Sequence, residues 1–359
     1  AGQLANMLEI SVDTISADVG TGGLYINESD GIIIDTVPEI SVNRIKNDLT
    51  IDLENSPTDS SQSNIVSTGD VEIIAETGDI TVNTITATGY VNIAANTNTS
   101  NININTITSE NYVNIISTAS TGNITIHTID ATGYVITNSS AEGDILINLI
   151  ESDDDVTITA SNGSILENLV DDEHDIIAGI DKTITLTASN HIAGTNDFND
   201  ENAYFELATN TILNASSTVQ GNIYIKGTGK LILNDIDTTD GKIDILAPDQ
   251  LTALDIQSGG ENGSITLHNT SGDILIGAII SSEKINMTSD QGAIIDHTDD
   301  TIIDLTANDL ITLIANTHIH ATGETDTFLE FANNSLIDAK TLTEGNIHIQ
   351  GEGGLTLQN

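Results

Sequence analysis

The sequence contains no cysteine and no tryptophan, and only three prolines fall within its 359 residues. Without cysteine there are neither disulfides nor thiolate metal sites, so stability has to come from a packed core rather than from covalent staples. Aromatic residues make up 3% of the chain. A core must therefore be built from isoleucine, leucine and valine, which suit strands more than helices. Basic residues are equally scarce: 8 Lys and Arg stand against 54 Asp and Glu, a formal net charge of −46. Nucleic acid and anionic membranes both need a basic footprint, so neither is expected as a partner. The acidity instead serves solubility and repulsion between chains, and would attract divalent cations such as calcium. No apolar run approaches the length of a membrane span, so no span is expected. The opening AGQLANMLEIS shows no signal-peptide pattern. Together with the abrupt GEGGLTLQN at the other end, it reads as part of a longer polypeptide.

What is present is repetition. Hydrophobic residues make up 38% of the chain, enough for a continuous core, and they alternate within short runs, the period of a strand. Runs begin near Ile80, Val91, Ile102, Val113, Ile124, Val135, Ile145 and Val156, spaced 11 residues apart except for one step of 10. Two runs make a unit of about 22 residues, and no helical period competes with it. The repeated skeleton is Gly-[Asp/Asn]-Ile-x-[Ile/Val]-[Asn/His]-x-Ile, a short polar bend, then an aromatic residue followed by Val-x-Ile.

Three architectures supply regular short strands. A sandwich gives no reason for like residues at a fixed spacing. A propeller needs about 40–45 residues per blade and carries aromatic signatures that this chain lacks. In a parallel β-helix, residue i lies beneath residue i+22, and like side chains form columns. Such columns are visible: Asn83, Asn105, His127 and Asn148; Tyr90, Tyr112 and Tyr134, ending at Asp155; and Ile85, Ile107, Ile129 and Ile150. The expected fold is an all-β, right-handed parallel β-helix, a solenoid with roughly 22-residue coils. The length corresponds to roughly 16 coils and a rod of about 75–80 Å.

A longer similarity overlies the coil. AYFELATNTILNASSTVQGNIYIKGTGKLIL (203–233) aligns without gaps to TFLEFANNSLIDAKTLTEGNIHIQGEGGLTL (327–357), pairing Glu206 with Glu330 and Gly221 with Gly345. Upstream, SNGSILEN (161–168) resembles SDQGAIID (289–296), and residues 8–34 follow the same plan. The chain divides accordingly within one continuous solenoid, 1–359. Residues 1–65 form a partial cassette plus an insert, 66–169 regular coils, 170–290 a cassette copy and 291–359 a second copy.

The cassette GSILEN, DIIAG, ITLTASNHIAG, FELATNTI, GNIYIKGTGKLIL resembles the repeat unit of giant bacterial surface and secreted proteins related to filamentous haemagglutinins. The similarity covers most of the chain through degenerate Gly-Asn-Ile/Leu patterns. It implies a β-helical shaft, export to the bacterial cell surface or beyond, and roles in adhesion, biofilm or filament formation. The partners it implies are further copies of the chain, head-to-tail or as tandem repeats, and host-cell, matrix or polysaccharide surfaces.

Parallel β-helices also include polysaccharide-cleaving enzymes. Glycoside hydrolysis needs two carboxylates about 5–10 Å apart across the scissile bond. The candidate clusters are ESDDD (151–155), DDEHD (171–175) and HTDD (297–300). Of these, Asp171, Asp172, Glu173 and Asp175 are the weak candidates for a metal site, with calcium as its ion. The plainer reading, solvated corner loops, is preferred, because basic residues to hold an acidic polysaccharide are too few. No catalytic residue, cofactor or resident metal is therefore assigned, and the chain is expected not to be an enzyme. His318 and His320 alternate on one strand face, with His191 and Ala193 as their counterparts, and read as ladder or surface residues. The calcium nonapeptide and the phosphate-loop pattern are absent. The inserts ENSPTDSSQSN (54–64) and GTNDFNDENAYFE (194–206) break the coil. They are places for binding or for drift. The sequence thus points to a non-catalytic shaft, with a carbohydrate-binding or carbohydrate-cleaving β-helix, or a calcium-stiffened surface layer, as alternatives.

Overall fold

The computed structural model describes residues 2–52, 56–96, 100–169, 171, 173–195, 203–298, 302–321, 328–343 and 345–358. Among these there is no helix, and the chain winds as a parallel β-solenoid of about 15 coils. Every long ladder is parallel. Among the described strands, only Ile40–Ser41 and Thr58–Asp59 pair antiparallel, in a hairpin that interrupts the coil.

The two runs of each sequence unit become three faces. In Ile80–Ala87 the inward positions are Ile80, Val82, Ile85 and Ala87, so the alternation slips where Asn83 and Thr84 both turn outward. Two successive outward residues bend the strand into two faces, and Val91–Ala95 supplies the third. The Asn83 column therefore marks a corner rather than a flat face.

Register follows the sequence columns. Ile80 pairs with Ile102, Ile102 with Ile124 and Ile124 with Ile145. That same column runs back to Ile32 and forward through Ile165, Ile192, Ile223 and Ile243 to Ile337. A single apolar core extends from Leu24 to Ile337. Each buried isoleucine stabilises the coil by about 1.5–3 kcal/mol relative to exposure.

The Gly-[Asp/Asn] step also has a physical cause. A Cβ at Gly143 would collide with the Gly122 carbonyl, and one at Gly163 with the Gly143 carbonyl, because the coils touch through their backbones there. The Asx side chain that follows accepts a backbone N–H from the next coil: Asp79 from Asn101 at 2.7 Å, Asn101 from Asn123 at 3.0 Å, Asn123 from Asp144 at 2.9 Å and Asp144 from Ser164 at 2.8 Å. Corner N–H groups that the sheets leave unpaired are satisfied this way.

The cassettes change this geometry. One side of the solenoid is split into two short strands, Ile165–Glu167 with Ile176–Ile177 and then Ile192–Ala193 with Phe205–Leu207. Both of the latter two meet the single strand Ile223–Gly227 of the next coil. Beyond it the bent, eight-residue strand passes to the other sheet, beginning with Leu231–Thr238. The second cassette splits that other sheet, as Ile294–Asp296 with Leu305–Ala307 and Ile319–Ala321 with Leu329–Phe331.

Candidate functional site

The outward ladders are built as their spacing implies. Tyr90, Tyr112 and Tyr134 stack with centroids 4.9 and 4.8 Å apart and planes within 7° and 3°. Ring faces are thus covered by neighbouring rings. Asn105 Nδ2 donates to Asn83 Oδ1 at 3.3 Å, and Asn83 Nδ2 donates to Asp35 and Asn64 across the projecting insert. The His318 ring lies 5.3 Å, centroid to centroid, from that of His320. His318 Nδ1 accepts the Asn346 N–H at 3.1 Å, as His191 Nδ1 accepts the Asn222 N–H at 2.9 Å. Both histidines extend the corner ladder.

An open groove of about 740 Å³ crosses these corners, lined by Asp144, His191, Asn222, Asp240, Lys242 and Asn262 among others. Its carboxylates are engaged in holding backbone. Asp144 serves Ser164, and Asp240 Oδ1 accepts the Asn262 N–H at 3.3 Å.

The acidic runs separate into different roles. In 151–155, Asp154 pairs with Lys182 at 2.6 Å and Asp155 accepts the Thr183 N–H at 2.8 Å. In 171–175, Asp171 and Glu173 are exposed, and Asp171 Oδ1 accepts the Glu173 N–H at 2.7 Å. Asp172 lies outside the described residues, as do Asp299 and Asp300 of the third run. Among the described acids of these runs, Asp175 alone turns inward, where only 2% of it remains exposed.

Asp175 meets two residues that the acidic runs do not contain. Carboxylate oxygens of Glu167, Asp175 and Glu206 lie within 4.8 Å of one another, all three residues buried. The same arrangement recurs at Asp296, Asp304 and Glu330. In each cluster the first acid occupies an inward position that the preceding coil fills with isoleucine, Ile147 beneath Glu167 and Ile276 beneath Asp296. The second acid joins the third through matched bonds. Asp175 Oδ2 accepts the Glu206 N–H and Asp304 Oδ2 accepts the Glu330 N–H, each at 2.8 Å. Return bonds run from the Asp175 N–H to the Glu206 carbonyl at 3.0 Å and from the Asp304 N–H to the Glu330 carbonyl at 3.1 Å.

Withdrawal from water disfavours the charged carboxylates. Burial pushes Asp175 up to about 10, offset in part by the Glu206 N–H and reinforced by the charges of Glu167 and Glu206. Burial likewise lifts Glu167 to about 8, against the downward pull of the Asp171 N–H. Asp304 is raised for the same reason, with Asp296 and Glu330 as its charged neighbours. Three convergent oxygens of this kind suit a hard divalent cation better than a catalytic pair, which would need access to substrate.

No family model matches the chain, and no curated protein or solved structure shows significant similarity to it.

Proposed function

We propose that this chain is a structural segment of an extracellular or bacterial cell-surface fibre, a rigid shaft without catalytic activity. The observation that carries this reading is the unbroken core: one apolar column runs through the coils, and each coil templates the next. At about 4.8 Å per coil, about 15 coils give a rod on the order of 70 Å. The strands of the end coils offer ladder edges on which further coils of the same kind would stack, in tandem or between chains. The acidic surface favours solubility of such a rod and disfavours nucleic acid. The likeness of the cassette to filamentous-haemagglutinin repeats supports adhesion, and the inserts are where a host, matrix or polysaccharide surface would be met.

Electron microscopy of the purified chain tests this reading. Rods that associate end to end are expected, and discrete compact particles with no tendency to chain would overturn it. A carbohydrate-cleaving β-helix is the alternative that the groove at Asp144 and Lys242 keeps in view. Turnover in a screen of neutral and acidic polysaccharides would favour that alternative.

A further inference from the structure

The two buried clusters have the same backbone but different counter-charges. Opposite Glu206 in the ladder stands Lys226, whose Nζ lies 3.4 Å from Glu206 Oε1, with 28% of the lysine side chain exposed against 2% of the glutamate. Opposite Glu330, in the same register, stands Gln350. At the ladder position beside the third acid, the first cluster thus has an ammonium, whereas the second has an exposed, uncharged glutamine.

Asp296 supplies an independent observation. It is 1% exposed, its Oδ1 accepts the Thr298 N–H at 3.0 Å, and its Oδ2 is buried with no hydrogen-bond partner. A buried carboxylate oxygen left in this way is costly unless a proton or a cation meets it. Asp304 and Glu330 converge on the same point within 4.8 Å. Oxygens around a calcium ion lie about 2.3–2.6 Å from it, so a separation of this size is spanned by one ion with only slight contraction. Magnesium, held at about 2.0–2.1 Å and reluctant to lose its waters, fits a buried, three-carboxylate site less well.

We propose that Asp296, Asp304 and Glu330 form a binding site for a divalent cation of the calcium class, and that Lys226 supplies at the first cluster the positive charge that the ion supplies at the second. The ion ties together two successive coils where one side of the solenoid is split into short strands, and so restores the cross-linking that an uninterrupted ladder gives elsewhere. This site goes beyond the shaft reading and does not depend on what the shaft adheres to.

Calorimetric titration of the full chain with CaCl2 at 150 mM NaCl, after EDTA treatment and dialysis, tests the proposal. One D296N-sensitive ion per chain is expected, with a melting temperature raised by about 3–5 °C at a hundredfold excess over Kd. K226Q should gain a second ion, E167Q should leave the count at one, and MgCl2 should not displace calcium at equal concentration. Circular dichroism checks that each variant is folded. If D296N does not fold, Q350K, at an exposed position, should abolish binding in its place. Absence of saturable binding, binding unchanged in D296N and Q350K, or preference for magnesium would each overturn the assignment.

Discussion

The two cassettes place matching acids at matching positions, and the residues around those acids differ. Glu167, Asp175 and Glu206 in one match Asp296, Asp304 and Glu330 in the other, down to paired bonds of 2.8 Å. Lys226 is replaced by Gln350. Above the first cluster, an outer apolar patch of Leu166, Ala193, Ala203 and Tyr224 is covered in part by Tyr204. At the matching places of the second stand Ile295, His320, Phe328 and His348, with Phe328 and His348 centroids 6.2 Å apart where Tyr204 and Tyr224 are 5.8 Å apart. The two clusters share one backbone frame, while the residue beside the third acid differs in charge.

The largest effect comes from breaking what the copies share. Ile165→Ala and Ile294→Ala remove fully buried side chains beside equivalent acids, and each should cost about 2–5 kcal/mol in denaturant melts. If the two costs differ by more than about 1 kcal/mol, the frames are not equivalent. Next come the acids. In calcium, Asp304→Asn should lose the stabilisation due to bound ion, about 2–3 kcal/mol at a hundredfold excess, whereas Asp175→Asn should keep it, because its second cluster is intact. In EDTA both amides should stabilise, because each removes a buried ionisable group while keeping an acceptor for the Glu206 or Glu330 N–H. Lys226→Gln in EDTA should cost about 1–3 kcal/mol, discounted for the partial exposure of the ammonium.

The smallest difference is a hydroxyl. Tyr204 donates to Asp244 Oδ1 at 3.0 Å, and its counterpart Phe328 has no hydroxyl. Tyr204→Phe should therefore cost about 1 kcal/mol, measured by chemical unfolding. It should also alter the pH profile. Burial raises the Asp244 carboxyl above its ordinary 3.8, and the Tyr204 bond partly opposes that rise. A raised folded value means that the stability contributed by this group is fully present below 3.8 and is lost as pH climbs through the raised value. Without the hydroxyl that loss should extend to higher pH, and in Asp244→Asn it should vanish.

Coil length and columns were legible because stacking forces like residues to recur at one spacing, as at Ile80, Ile102 and Ile124. The third face was not. It depends on where two outward residues adjoin, at Asn83 and Thr84, and a count of apolar runs passes over that bend. Of the six acids in the two carboxylate clusters, only Asp175 stood among the four candidates. Exposed neighbours such as Asp171 and Glu173 made the acidic run look like a solvated loop, which most of it is. The informative signal lay elsewhere: SILE aligns with AIID, placing an acid at inward parity in both copies, and FELA aligns with LEFA, placing an acid between two core residues in both. Acids at core positions, repeated with the cassette, mark buried charge more sharply than a run of acids does.

A crystal structure of the full chain grown with calcium, with anomalous scattering recorded, tests the paired clusters most directly. The account predicts one ion bound by Asp296, Asp304 and Glu330, and the Lys226 ammonium on Glu206 with no ion among Glu167, Asp175 and Glu206. An ion at the first cluster alone, or calcium confined to surface carboxylates while the second cluster stays closed by shared protons, would contradict it.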